Sequence, residues 1–289
     1  MKVCEYVDIR SLQNKLLLKR AVLPNQQISL QQECVLSVLA RLKNKGKESG
    51  RSYQLCLQLF CQEEFLRWSG KSKYAENLVL KGGLFIYSVT DFDSRVTVDV
   101  DFLLGRVPNI PEQLKKVLEE IIATPTGNDF VTFEITDIAP IAVAKKYAGI
   151  GASLVARIKN TKIPFSIDFD VGDVIVPNQE KRRIIQLEDF AAPTVNTYSL
   201  ETTIAEKIDA ILSLMEFSSR MKDYYDIYYL ANKFDFDGSI LIDALRKTFE
   251  NRGHIFTVKP FIAAVNEVCF NEQWIAATNT WGQGGKCDG

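Results

Sequence analysis

The stretch from Val79 to Gly105, VLKGGLFIYSVTDFDSRVTVDVDFLLG, sets Asp99 and Asp101 one residue apart inside a run that is otherwise apolar. In an extended strand residues two apart share a face, so the two carboxylates project together while Val98, Val100 and Phe102 point the other way. Like charges that close repel, and a cation between them removes the repulsion. Mg²⁺, which takes oxygen ligands, is a fitting ion. The plain alternative is an exposed edge strand with solvated aspartates. A second apolar run, PFSIDFDVGD, carries Asp168 between Ile167 and Phe169, with Asp170 on the same face. Were the two strands neighbours, a third carboxylate would join the pair, and three carboxylates from adjacent strands are what a two-metal phosphoryl-transfer centre requires, one ion activating the attacking oxygen and the other steadying the triphosphate. The sequence leaves open whether Asp168 or Asp170 is the third.

Gly82 and Gly83 fall between a short apolar strand and a short helical run, where a missing Cβ lets backbone approach phosphate and a helix N-terminus offers N–H donors. Arg95 and Thr97 lie between these glycines and the acid pair, placed to steady the loop or touch phosphate. Farther on, ETTIAEKIDAILSL puts Ile204, Ile208, Ile211 and Leu212 on one helical face, with Glu206, Lys207 and Asp209 off it. Lys207 can serve there as a point charge for a triphosphate. In RMKDYYDIYYL, Arg220, Asp223 and Asp226 line one face, a pattern shared with ordinary salt-bridge ladders. Tyr224, Tyr225, Tyr228 and Tyr229 read as packing residues rather than base-stacking platforms.

Composition removes other chemistries. The one histidine, His254, excludes His-based triads, HExxH sites and two-histidine metal centres, and it reads as a surface residue in a turn. Six cysteines include no CxxC pair and read as free thiols of a reducing cytosol. The net charge of −1 argues against a polybasic binder, so any anion site depends on local placement. The start, MKVCEYVDIR, lacks a secretory h-region, and no apolar run reaches the roughly 20 residues that span a bilayer. A cytoplasmic protein with no membrane partner is expected.

The elements that must hold these residues follow from periodicity. Helices are expected over 29–43 and 52–67, as a hairpin around the loop NKGKESGR, and over 111–122. Strands are expected near 79, 100, 134, 154 and 167, and helices over 201–217, 220–232, 238–250 and 258–269, before a frayed glycine-rich end, TWGQGGKCDG. The expected class is α/β or α+β. The divisions are an N-terminal helical segment (1–70), a sheet domain (71–198) and a C-terminal helical bundle (199–289).

The ordered series KGG…R.T.D.D, SIDF, TTIAEKIDAIL and RMKDYYDIYYL resembles the AbiEii/AbiGii toxin family, a branch of the polymerase-beta-like nucleotidyltransferases, from about Leu78 to Ala231. The resemblance implies a nucleotidyltransferase fold with a mixed sheet. It puts the family's glycine motif on Gly82 and Gly83, its metal-binding acids on Asp99 and Asp101, its Glu-Lys helix on Glu206 and Lys207, and its later Arg and Asp on Arg220 and Asp226, with Lys222 and Asp223 between. In the family the lysine and last aspartate belong to the active site. The expected activity is Mg²⁺-dependent transfer of a nucleotidyl group from an NTP, GTP or another, to an acceptor such as tRNA or other RNA, by a toxin with a cognate antitoxin. A small-molecule nucleotidyltransferase of the antibiotic-modifying type and a non-catalytic nucleotide-binding protein are the alternatives. The N-terminal hairpin and the doubled acid Asp168/Asp170 depart from the simplest family pattern.

Overall fold

The computed structural model describes residues 24–91, 93–127, 130–141, 149–184, 192–214 and 221–255. The chain divides into two compact units at Tyr53/Gln54. In the first, helix α1 spans Pro24–Ser49, running through most of the segment expected as a loop. All the residues discussed below belong to the second unit.

That unit holds all but the first residue of α2 (Tyr53–Lys71) and continues through β1 (Leu78–Lys81), α3 (Gly82–Val89), β2 (Asp99–Leu104) and α4 (Pro111–Ile122). Three long strands follow, β3 (Val131–Pro140), β4 (Ile150–Ile158) and β5 (Thr161–Asp170), then two short ones, β6 (Glu180–Arg183) and β7 (Thr194–Thr197). Helices α5 (Leu200–Leu214), α6 (Met221–Lys233) and α7 (Gly238–Arg252) close the described chain. The expected helix over 258–269 and the glycine-rich end lie outside the described residues.

The seven strands form one mixed sheet in the order β3-β4-β5-β2-β1-β7-β6. Strand β2 therefore sits between β1, antiparallel to it, and β5, parallel to it. Alternation sorts the faces. Phe102, Phe133 and Phe165 meet Phe65 of α2 with ring centroids 5.4 to 6.4 Å apart, and Phe169 stacks on Phe102 at 6.0 Å. Val100, Phe102, Ile167 and Phe169 are fully buried. This apolar layer fixes the register, because a slip of one residue would turn every one of these side chains to the opposite face. The aspartates between them are thereby committed to that opposite face.

The five expected strands are present. β6 and β7 were not anticipated: EKRR reads as a charged loop, and TVNT is too short to show a period. Helix α5 packs on both α6 and α7. Asp237 caps α7, its Oδ1 accepting from Ser239 N at 2.8 Å and Ile240 N at 3.3 Å, and Gly253 (φ +75°) ends the helix in the left-handed conformation.

Candidate active site

The sheet register brings the first set of residues together. Lys81 pairs with Asp101 across β1–β2, Asp101 with Asp168 across β2–β5, and Asp168 with Gly151 across β5–β4, so one row crosses four strands on the face opposite α2. Asp99 pairs with Ser166, whose hydroxyl donates to Asp99 Oδ1 at 2.8 Å. The sequence expectation that the two acidic strands are neighbours is thus met. Asp168 stands directly beside Asp101, and Asp170 beside Leu103.

The glycines touch this row. Gly82 has φ +66°, and a Cβ placed on it would come within 2.0 Å of Asp101 Oδ2; a Cβ on Gly83 would lie 2.9 Å from Thr97 Cβ. Both positions need glycine because the acid and the threonine already fill the space. The two glycines open α3, and its N-cap residue, Lys81, forms no side-chain cap hydrogen bond. The helix N-terminus therefore presents backbone donors beside the acid pair. Gln62 of α2 steadies the approach to β2, its Nε2 donating to Thr97 O at 3.3 Å.

Asp101 is half-buried. Burial pushes its carboxyl up to about 6, Lys81 opposes the rise, and Asp168, Asp99 and Asp170 add to it. Burial is thus the main reason that the Asp101 carboxyl holds its proton more tightly, and the neighbouring acids reinforce it. Among the described residues no group of three or more His, Cys, Asp or Glu side chains is arranged to hold a metal ion as it stands. Mg²⁺ needs no such cage, since it is bound through one or two carboxylates with waters and substrate phosphates completing its shell. The paired oxygens of Asp99 and Asp101 suit an ion of that kind.

Two ion-pair clusters flank the row. In one, Lys207 of α5 donates to Asp223 Oδ1 at 2.8 Å and to Asp226 Oδ2 at 2.6 Å, and Arg95 grips Asp226 with two bonds, Nε to Oδ1 at 2.8 Å and Nη2 to Oδ2 at 2.7 Å. Burial works against the Lys207 charge, but Asp226 and Asp223 outweigh it and hold the ammonium above its ordinary value. Arg95, Lys207, Asp223 and Asp226 are thus brought together as expected, with Asp226 only 1% exposed. Arg220 lies outside the described residues, and Lys222 is exposed.

The other cluster was not foreseen. Lys81 reaches Asp170 at 3.2 Å, Asp173 at 3.0 Å and Glu206 at 3.0 Å, and its ammonium lies 5.0 Å from the Tyr198 ring centroid. Burial disfavours its charge, yet Glu206, Tyr198, Asp173 and Asp170 together raise it well above the ordinary value. Arg252 of α7 joins Asp173, Glu206 and Asp209 at 2.9 to 3.0 Å. His254 Nδ1 lies 2.6 Å from Asp209 Oδ1, so the histidine is surface-exposed as expected but anchored. Glu206 and Asp209, expected off the apolar face, are drawn inward by these cations. One signal was available for Lys81, a lysine ending the apolar strand LVLK immediately before the glycines; Arg252 gave none. Among the tyrosines, Tyr225 is buried and Tyr229 donates to Asp93 at 2.9 Å, while Tyr228 is 61% exposed and does not pack.

The mixed sheet thus sets a glycine-led helix beside Asp101. Residues 65–280, about three quarters of the chain, match the family model described as nucleotidyl transferase AbiEii toxin, type IV toxin–antitoxin system, and the chain belongs to that family. It is accordingly a nucleotidyltransferase, and membership implies a nucleotide substrate and a cognate antitoxin. Among solved structures, similarity is found to a Helicobacter pylori protein provisionally classed as a nucleotidyltransferase (16% identity, 75% of this chain and 86% of that one, TM-score 0.41). JHP933 from Helicobacter pylori is similar at 12% identity over 76% and 98% (TM-score 0.42), and the antibiotic-resistance factor ANT(2'')-Ia at 14% over 76% and 96% (TM-score 0.28). No curated protein matches in sequence. Among the described residues, no helix is long and apolar enough to cross a membrane.

Proposed function

We propose that Asp99, Asp101 and Asp168 form the acidic centre of a Mg²⁺-dependent nucleotidyltransferase toxin that moves a nucleotidyl group from an NTP, GTP or another, onto an RNA acceptor such as tRNA. The observation that carries this reading is the contact of Gly82 with Asp101, which seats the uncapped start of α3 against the acid pair. Phosphate bound at that N-terminus lies beside those carboxylates.

Asp99 and Asp101 would hold the ion, with Asp168 completing the set. When bound, Mg²⁺ supplies charge neutralisation of the triphosphate and of the developing pyrophosphate. The backbone N–H groups of Gly82 and Gly83 cradle the phosphates, and Thr97 packs beneath them. Lys207 and Arg95 carry the remaining positive charge, released from Asp226 as phosphate oxygens take its place. Asp223 and Asp226 keep both cations aimed at the site until then, and Arg220 and Asp226 orient the nucleotide or the acceptor. The acceptor hydroxyl oxygen bonds to the α-phosphorus, the bond from that phosphorus to the bridging oxygen breaks, pyrophosphate leaves, and the hydroxyl proton passes to water. The sheet segment (71–198) handles the nucleotide, the helices after it (199–289) contribute Lys207 and the α6 acids, and a helical segment (1–70) precedes both, in a protein acting in the cytoplasm.

The test is calorimetric titration of Mg²⁺ with each NTP into wild type, Asp99→Asn and Lys207→Met. Wild type is expected to bind one or more NTPs with Mg²⁺, and each variant to weaken that binding at least tenfold. Unchanged affinity in both variants would remove the site from this assignment.

A further inference from the structure

We infer that Lys81 is a positioning residue for the transfer reaction, fixing the end of β1 and the rotation of α5 so that the glycine turn, Asp101 and Lys207 keep their mutual spacing. The inference rests on the site proposed above. Lys81 is 5% exposed, and its ammonium lies within 3.0 to 3.2 Å of carboxylates from the end of β5 (Asp170), the loop after it (Asp173) and α5 (Glu206). The Lys81 ammonium is a compact point charge at the meeting point of three carboxylates; a larger planar guanidinium placed there would space them differently. Tyr198 completes the seat, its hydroxyl donating to Glu206 Oε1 at 3.2 Å and its ring lying beside the ammonium.

The consequence comes from where Lys81 stands in the chain. The next residue, Gly82, adjoins Asp101 so closely that a Cβ there would lie 2.0 Å from Oδ2, so the position of the end of β1 sets the space between the glycine turn and that carboxylate. Glu206, held by Lys81 on one side, is the neighbour of Lys207, whose ammonium reaches Asp223 and Asp226 on the other. One buried cation thus sets both the clearance at the glycine turn and the direction in which Lys207 extends. A buried ion cluster of this kind is weak evidence of a stabilising role, because apolar side chains of similar volume often serve stability as well.

The experiment uses the full chain with α-labelled NTP and Mg²⁺ in a cell extract that supplies both RNA and small molecules, comparing wild type, Lys81→Arg, Lys81→Met and Lys81→Met/Glu206→Gln. Rates are read at temperatures where circular dichroism reports each protein folded. Lys81→Met is expected to melt lower, and the double variant to regain part of the loss by removing one of the three carboxylates that Lys81 neutralises. Both are expected to stay at least 30-fold slower in kcat, with half-saturating NTP within threefold of wild type. A double variant that regains rate along with melting temperature overturns the inference, since Lys81 would then serve stability alone. If the methionine variants do not fold, Lys81→Arg decides: a loss of at least tenfold supports positioning, and a rate within twofold of wild type overturns it. Absence of label transfer by wild type, or transfer undiminished in Asp101→Asn, overturns the site assignment itself and the inference with it, an outcome distinct from failure of the Lys81 variants alone.

Discussion

Replacing Asp101 with Asn should remove activity and raise stability together. The carboxyl of Asp101 moves from an ordinary value of 3.8 to about 6 in the folded protein, burial being the largest cause and Asp168, Asp99 and Asp170 adding to it against Lys81. The folded state therefore binds this proton more tightly than the unfolded chain. Stability from the protonated form is fully present below about pH 4 and is lost as pH rises through about 6. At about 1.4 kcal/mol for each tenfold change in proton affinity, the ionised group costs about 3 kcal/mol at pH 7.5. Asn has nearly the same shape and carries no charge. For a unit of this size about 3 kcal/mol corresponds to roughly 5 to 10 °C in melting temperature. Differential scanning calorimetry in EDTA should show the Asn variant melting higher at pH 7.5 and the gap closing near pH 4. With Mg²⁺ and NTP the wild type should regain ground, since a ligand bound by the folded state alone stabilises it. A variant that melts lower than wild type at pH 7.5, or a gap that ignores pH, would refute the claim that Asp101 is held at an electrostatic cost.

Gly82→Ala should be severe, because the residue has φ +66° and its Cβ would meet Asp101 Oδ2 at 2.0 Å; a loss of about 2 to 4 kcal/mol by urea unfolding is expected, together with loss of NTP binding. Gly83→Ala should be milder, since its φ is not in the left-handed region and its Cβ would meet Thr97 Cβ at 2.9 Å rather than an atom at 2.0 Å, and the two variants should separate by about 1 kcal/mol or more. Asp226→Ala strands the charges of Lys207 and Arg95 beside a position that is 1% exposed, and chemical denaturation should show a loss of about 3 to 5 kcal/mol, while Asp226→Ala/Arg95→Met should recover part of it.

The parts of this molecule legible in the sequence are those set by local rules. Alternation of Val100 and Phe102 with Asp99 and Asp101 gave the strand and its faces, although Val98 lies before the strand and is exposed, and the glycine pair before an apolar run gave the turn and α3. Spacing on α6 placed Asp223 and Asp226 on one side, where both reach Lys207. The family resemblance supplied the link between these pieces, and the sheet order β1-β2-β5 accounts for it physically. What sequence did not reveal depends on long-range neutralisation. Lys81 meets Glu206 across 125 positions, and Arg252 meets Asp173 across 79, distances at which no periodicity carries information. The same pairing draws Glu206 and Asp209 inward from a face that reads as solvated. Short strands β6 and β7 escaped because their pairing partners, rather than their own composition, make them strands.

The central claim is tested most directly by following two labels of one nucleotide. Purified protein, Mg²⁺ and total RNA are incubated with NTP labelled at the α- or the γ-phosphate, for wild type and for Asp99→Asn. The expected result is α label on RNA, γ label released as pyrophosphate, and loss of both in Asp99→Asn. Retention of γ label on an acceptor, or α-label transfer that survives Asp99→Asn, would contradict a nucleotidyl transfer centred on this acid pair.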